Sequence, residues 1–149
     1  MLPDPPSYYT VQYQAQPALL RGRVLRPLSA TDFTEVGELL LAWGQHYDCP
    51  FWLLDGRVDT RPQPLDVYEW LREEFLPRVH QGLGRIPCVA FLAQPEMWLA
   101  LNTRGYAPPA PVILSSAYRA NWFTNEEDAL AWLAQFRPAI GGSQAKEDR

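Results

Sequence analysis

The two residues best able to do chemistry together are His46 and Cys49, which stand three positions apart. A cysteine beside a histidine can act as a nucleophile, because the imidazole takes up the thiol proton. Such a pair also needs an Asp or Asn that orients the imidazole and glycines that shape an oxyanion loop, and neither accompanies it. We therefore expect no catalytic residues and no enzymatic activity, and we interpret His46 as a helix-end residue whose charge complements the helix dipole.

The acidic residues and the glycines do not form a known ligand pattern either. Asp55, Asp59 and Asp66 are spaced differently from the D-x-[DN]-x-[DN]-G sequence of a calcium loop. Gly82 and Gly84 resemble part of a G-x-G-x-x-G sequence, but they follow a predicted helix, whereas a pyrophosphate-binding turn follows a strand. The sequence therefore predicts neither a metal site nor a bound cofactor.

A polar loop that follows a short apolar run is the best candidate for a binding surface. Its residues Asp55, Gly56, Arg57, Thr60 and Arg61 offer a carboxylate, two guanidinium groups and a hydroxyl. Ligands and partners gather at the carboxyl ends of buried strands in α/β sheets, and the helix expected after the loop turns free amides toward it. An acidic side chain of a partner, or a phosphate on Thr60, would be favoured there. A second interpretation remains open, in which the loop is a solvated connection and Asp55 only caps the turn.

The elements that must position this loop follow from the apolar pattern. Residues 51–54 and 86–92 are continuous apolar runs, which indicates strands covered on both faces. Residues 8–13 and 18–25 alternate in polarity, which indicates a half-exposed antiparallel hairpin at the sheet edge. The other predicted elements are a helix at 29–47, a helix from Pro64 that Pro77 kinks or breaks near Phe75, a helix at 94–102, strands at 112–114 and 119–123, and a last helix with a capping box of Thr124 and Glu127. We therefore predict an α/β fold, with helices packed against a mixed sheet of four to five strands.

The composition predicts one domain at residues 8–136, between a flexible arm at 1–7 and a disordered tail at 137–149. The net charge is −4 and the 13 basic residues are scattered, so we expect no nucleic-acid partner and no basic membrane patch. The longest apolar stretch, residues 86–101, is interrupted by two prolines and a glutamate, which excludes a membrane span there. With two cysteines that suit a reduced core, we expect a soluble cytoplasmic protein.

Three stretches carry a resemblance to a known family. The sequence from Asn121 to Leu133, NWFTNEEDALAWL, resembles the closing strand and helix of small bacterial STAS-like proteins, the family named for sulfate transporters and anti-sigma-factor antagonists. Residues 51–55 resemble the strand before that family's functional loop, and residues 70–78, with their EFLPR sequence, are also similar. The resemblance spans about residues 8–136 and implies a STAS-like fold, with a more distant relation to the CRAL-TRIO lipid-transfer domain.

The family resemblance also implies a function, with one departure. In anti-sigma antagonists an Asp-Ser pair in this loop is phosphorylated on the serine to switch partner binding. Asp55 matches the aspartate, but Gly56 stands in place of the serine, and Thr60 is the one hydroxyl residue of the loop. The resemblance therefore implies a regulatory module that binds a protein partner without catalysis.

Two further expectations concern what the chain binds. The competing function is a small-ligand carrier, which binds an apolar or anionic molecule between the strand ends and the loop at 103–117, with Arg57 and Arg104 available for an anion. Self-association is also expected, because the N-terminal hairpin offers a half-exposed edge with Tyr8, Tyr9 and Tyr13 that a second copy could cover as a homodimer.

Overall fold

The structure, a computed structural model, describes residues 2–103, 112–114 and 117–138. In this part of the chain six strands form one sheet in the order β1-β2-β3-β4-β6-β5. The strands are β1 (Tyr9–Ala15), β2 (Ala18–Val24), β3 (Phe51–Asp55), β4 (Cys88–Leu92), β5 (Val112–Leu114) and β6 (Arg119–Phe123). The helices are α1 (Ala30–Tyr47), α2 (Leu65–Trp70), α3 (Leu76–Leu83), α4 (Pro95–Thr103) and α5 (Glu126–Ala134), with a π-helical segment (Leu71–Phe75) between α2 and α3.

The sheet is mixed, as the sequence predicts. β2, β3, β4 and β6 run parallel, while β1 pairs antiparallel with β2, and β5 with β6. Five strands have five or more residues, and the three-residue β5 adds a short edge. The α/β fold class is confirmed, and the two predicted buried strands, β3 and β4, are its central pair.

The central strands are covered on both faces, which explains their continuous apolar sequence. Successive side chains of a strand point to opposite faces. Trp52 of β3 and Val89 of β4 form one register pair and face α1 and the π-helical segment, as the contact between Trp52 and Phe75 shows. Leu53 and Ala90 form the next pair and face α5, on the other side. All four side chains are buried.

α1 begins with a side-chain cap and packs closely on the sheet. The Ser29 hydroxyl accepts a hydrogen bond from the Asp32 amide at 3.1 Å, and the Asp32 carboxylate accepts one from the Ser29 amide at 3.0 Å, which together form a capping box. Gly44 lies against the Trp52 indole, where an added Cβ would stand 2.8 Å from the ring. The cost of this glycine in the helix is therefore offset by close packing on the central strand.

The second predicted helix is interrupted where Pro77 requires it. Pro77 has no backbone N–H, so the turn before it lacks one donor. The chain responds with the π-helical segment, in which the Leu76 amide donates to the Leu71 carbonyl, and α3 then continues to Leu83. A kink or a break was predicted near Phe75; the chain stays helical there, and the irregularity takes the form of a change in helix type. α2 begins at Leu65, with Pro64 as its N-cap.

The predicted cap of the last helix needs correction. The last helix is capped by Asn125 rather than Thr124: the Asn125 side chain accepts the Asp128 amide at 2.9 Å and donates to the Asp128 carboxylate at 3.0 Å. The predicted box of Thr124 and Glu127 was one residue early, because Asn caps as well as Thr and both alternatives end on an acid.

The hairpin lies at the sheet edge as predicted, but two of its tyrosines are not exposed. Tyr8 and Tyr9 are buried, because α1 covers this side of the strands, and the Tyr8 hydroxyl donates to Glu35 of α1 at 3.3 Å. Tyr13 stacks on Tyr47 with ring centroids 4.1 Å apart. The rings therefore pack within the chain, while the backbone of β1 remains the free edge of the described sheet.

Parts of the predicted domain layout stay predictions. In the arm, the carbonyl of Pro3 accepts the indole N–H of Trp43 at 3.0 Å. The tail at 137–149 lies outside the described residues apart from Arg137 and Pro138. Of the helices that the structure describes, none combines the length and the apolar character needed to cross a lipid bilayer.

Candidate partner and ligand site

Asp55 and Arg57 of the predicted site bind each other. Asp55 ends β3, and its carboxylate accepts the Arg57 guanidinium twice, at 3.0 and 2.8 Å, and the Arg57 amide at 3.0 Å. Burial alone raises the pKa of Asp55, but the hydrogen bonds and charge of Arg57 together outweigh it, so the pKa lies below its ordinary value. Within this structure the carboxylate fixes the turn, which is the role that the second interpretation of the loop gave to Asp55.

Two residues that the sequence did not mark hold the rest of the loop. The buried carboxylate of Asp59 accepts the amides of Leu28 and Arg61, both at 3.1 Å. Gln63, also buried, donates from its side chain to the Leu28 carbonyl at 2.8 Å, and its amide donates to the Tyr68 hydroxyl at 2.9 Å. The loop after β3 is therefore tied to the loop before α1, and these contacts satisfy the backbone amides of Arg61 and Gln63. Asp59 has one local contact, with the Arg61 amide two residues on, but the contacts of Asp59 and Gln63 with Leu28 cross the fold, and no spacing along the chain marks them.

The remaining predicted residues lie on the outer side of this loop. Gly56 continues the sheet, because its amide donates to the Leu92 carbonyl at 2.9 Å. Thr60 is exposed, and the side chain of Arg61 is 75% exposed. An ionic contact of 3.8 Å joins Arg61 to Asp59, and exposed pairs of this kind contribute little to stability. Thr60 and Arg61 are thus the members of the predicted set that a partner could reach directly.

An apolar cavity lies beneath the same loop. Its volume is about 110 Å³, and it is bounded by α1, α2, the π-helical segment and the carboxyl-end halves of the sheet strands. Leu54, Phe91 and Trp122 form its sheet wall, and Phe91 stacks on Trp122 with ring centroids 4.6 Å apart. Arg61 borders the cavity as well, so the cavity reaches the surface beside the loop.

The cavity wall on α1 depends on a glycine. Gly37 lies where an added Cβ would be 3.1 Å from both Trp70 and Phe75. Those two rings stack with centroids 5.1 Å apart, so the glycine lets them approach the helix. A glycine inside a strongly amphipathic helix was the sequence signal for this close approach, although it did not indicate a cavity.

The structure does not bring His46 and Cys49 together. The Cys49 thiol is buried and donates to the Phe51 carbonyl at 3.4 Å, while His46 is exposed and its ring contacts Tyr47. Burial raises the pKa of the Cys49 thiol, which favours the unreactive protonated form. Both cysteines are free thiols in the core. Across residues 2–103, 112–114 and 117–138, no three His, Cys, Asp or Glu side chains converge as a metal site would require.

The second part of the predicted carrier site cannot be placed. Arg104 and most of the loop at 103–117 lie outside the described residues. Arg57, the other guanidinium proposed for an anion, is engaged by Asp55.

Comparison with known proteins adds no relative: no protein-family model, no curated protein and no solved structure matches the chain. The class that the structure defines is therefore an α/β protein with a mixed sheet and helices on both faces. The STAS resemblance rests on the three sequence stretches and on the order of the elements.

Proposed function

We propose that the chain is a non-catalytic, STAS-type module that binds a protein partner with the end of the molecule where the parallel strands finish. The observation that carries this proposal is the position of the exposed apolar side chains. In the described part of the chain, large apolar side chains are exposed at four positions, Leu25, Val58, Leu65 and Leu99. We call these four residues the carboxyl-end surface.

The four residues share one end of the sheet because of the strand directions. Leu25 directly follows β2, Val58 lies in the loop after β3, Leu65 opens α2 at the end of that loop, and Leu99 lies in the helix after β4. Parallel strands finish at the same edge of a sheet. Single exposed apolar residues are common, but their collection at one end is typical of a surface that another molecule covers.

Two guanidinium groups at this end can pair with an acidic group of a partner. Arg61 is largely exposed, and Arg23, exposed in β2, stands beside Asp55 in the strand register. An apolar patch edged by guanidinium groups suits a partner with apolar side chains at its centre and carboxylates or a phosphate at its rim. Thr60, on the same loop, is the residue that a regulatory phosphate would modify under this proposal.

The non-catalytic character and the location are parts of the same proposal. Support comes from Cys49, the candidate nucleophile, whose thiol is buried and hydrogen bonded to backbone. Free buried thiols fit a reducing compartment, so we propose a cytoplasmic location.

Quantitative affinity capture from the native host tests partner binding. Three proteins would be compared as baits: the wild type, the double variant Leu25→Ser with Val58→Ser, and the control Arg85→Ser, an exposed change at the amino end of β4. We expect one protein that the wild type and the control retain and that the double variant loses by about tenfold or more, as removal of apolar contacts from an interface centre predicts. Once purified, that protein should bind the wild type and the Arg85→Ser control with similar affinity and the double variant more weakly. Equal capture by all three baits, or capture by none, would contradict the proposal.

A small-ligand-binding protein is the second candidate, because the apolar cavity of about 110 Å³ lies at the same end of the sheet. Ligand sites in α/β proteins are found at this position, lined by apolar side chains with a few polar groups.

A further inference from the structure

The side chain of Tyr9 is buried and borders the apolar cavity. Tyr9 is 4% exposed and lies on the sheet wall, where its hydroxyl passes over Gly22 so closely that an added Cβ would meet the oxygen at 2.1 Å. Gly22 therefore has a steric reason to lack a side chain. The hydroxyl makes no hydrogen bond within the described part of the chain.

Because no hydrogen bond in the described part of the chain engages this hydroxyl, it is available to a group that enters the cavity. Burial, with the nearby charge of Asp55 as a smaller cause, raises the pKa of Tyr9, so the hydroxyl stays protonated and can both donate and accept. Its surroundings are otherwise apolar: Val24, Leu54 and Phe91 border the cavity on the same face of the sheet.

The cavity wall opposite Tyr9 is formed by the π-helical segment, where the helix is least regular. Leu71 and Phe75, the first and last residues of the π-helical segment, border the cavity, and Trp70 stacks on Phe75 beside Gly37. π-helical turns are frequent at functional sites, since they displace side chains from the positions that a regular helix would give them. Here the displaced side chains are the cavity wall.

We propose that the cavity binds a small neutral molecule with an apolar ring and one hydrogen-bonding group, and that this group pairs with the Tyr9 hydroxyl. The size follows from the volume, since an engineered apolar cavity of about 150 Å³ in another protein accepts benzene. The neutral charge follows from the wall, which is apolar apart from three charged residues, Asp55, Asp59 and Arg61, and each of these is already paired within the protein. This inference rests on the second candidate function and is independent of partner binding.

Phenol and toluene test the inference as a matched pair, because they differ by a hydroxyl in place of a methyl. Each would be titrated into isotope-labelled protein, with the Gly37 amide and the Trp70 indole N–H as reporters at the cavity wall. We expect both compounds to shift these signals in the wild type. The variant Tyr9→Phe should weaken phenol by about 3- to 10-fold, the usual worth of one hydrogen bond, and change toluene by less than about 2-fold.

The controls separate a hydrogen bond from a general change in packing. Tyr13→Phe removes a hydroxyl from the same face of the same strand, outside the cavity, and should leave both affinities unchanged. Ala93→Leu, which adds bulk to a buried residue of the cavity wall, should abolish binding of both compounds. The double variant Leu25→Ser with Val58→Ser should bind phenol as the wild type does. A failure of the partner proposal can therefore be distinguished from a failure of this inference.

Three outcomes would overturn the inference. The first is that neither compound shifts the wild-type signals up to its solubility in water. The second is an equal phenol affinity for the wild type and Tyr9→Phe, with melting temperatures that show both to be folded. The third is unchanged binding in a folded Ala93→Leu protein, which would place the compounds outside this cavity.

Discussion

Single polar side chains decide the shape of the loop after β3. Asp59 satisfies two backbone amides from two different loops, and Gln63 joins the same two loops through the Leu28 carbonyl. Asp55 satisfies the side chain and the amide of Arg57. These bonds leave Thr60 and Arg61 at the outer side, which is why the loop can be rigid and still present a hydroxyl and a guanidinium to a partner.

Removal of the Asp59 carboxylate should destabilise the protein. In Asp59→Ala the backbone amides of Leu28 and Arg61 lose their buried acceptor, and a cost of about 1–3 kcal/mol in the free energy of unfolding is expected. Urea denaturation measures this. Glu69→Ala, an exposed change in α2, serves as the control and should stay within about 0.5 kcal/mol of the wild type. If the two variants unfold at the same urea concentration, the loop is not held by Asp59.

The Asp55–Arg57 pair should make stability depend on acid. The pKa of Asp55 in the folded protein lies below its ordinary value of 3.8, so its carboxylate stabilises the fold at every pH above that value. This contribution is lost as the pH falls through the lowered folded-state pKa. We expect the loss of stability between neutral pH and about pH 3 to be smaller in Asp55→Asn than in the wild type. Urea midpoints at both pH values measure it, with the exposed Asp66→Asn as control; identical acid dependence in Asp55→Asn would refute the role of the pair.

The helices of the fold cover the two faces of one sheet. α1, α2, α3 and the π-helical segment cover one face and enclose the cavity, while α5 covers the other. On the α5 face, the ion pair of Arg21 with Glu126 and the stacking of Arg137 over Phe51 border the core. β3 and β4 contribute side chains to the core on both faces of the sheet. Stability should therefore be most sensitive to substitutions in these two strands.

Truncation of a central-strand residue should be costly. Leu53 is 2% exposed, and Leu53→Ala is expected to lower the free energy of unfolding by about 2–5 kcal/mol, because the removed methyl groups leave a cavity. Val89→Asp, at a fully buried position of β4, should prevent stable folding. Leu25→Ala, at an exposed position after β2, is the matched control and should cost far less. Wild-type-like melting of both core variants would contradict the central placement of these strands.

At the scale of the whole molecule, the outer edge of β1, which is unpaired in the described sheet, is where a second copy of the chain could bind. The tyrosine rings pack inside the chain, so a second copy would have to pair through the β1 backbone. We propose such a homodimer, because a free seven-residue edge strand favours strand addition.

Analytical ultracentrifugation at several concentrations tests this assembly. We expect association in the wild type and a monomer in Thr10→Lys with Gln12→Lys, two exposed positions of β1 where lysine blocks edge pairing. Gln81→Lys, exposed in α3, is the control and should associate as the wild type does. A wild type that stays monomeric at every concentration would reject the homodimer.

The apolar pattern along the chain was enough to predict the elements and the class of fold. Three of these features are local: the continuous apolar runs of β3 and β4, the helical stripe of α1 and the interruption before Pro77. Each depends only on residues close together in sequence, so the backbone geometry of helices and strands is enough to predict it. Errors were small and local, as in the cap at Asn125, where adjacent residues have nearly equal capping ability.

Tertiary structure alone decided the site. Whether Asp55 and Arg57 face a partner or each other, and whether Asp59 is solvated or buried, depends on how two loops far apart in sequence meet. The cavity has the same origin, since Tyr9, Gly37 and Phe75 come from three elements and adjoin only when α1 and the π-helical segment pack on the sheet. Contacts of this kind depend on the relative positions of whole elements in space, which no spacing along the chain encodes.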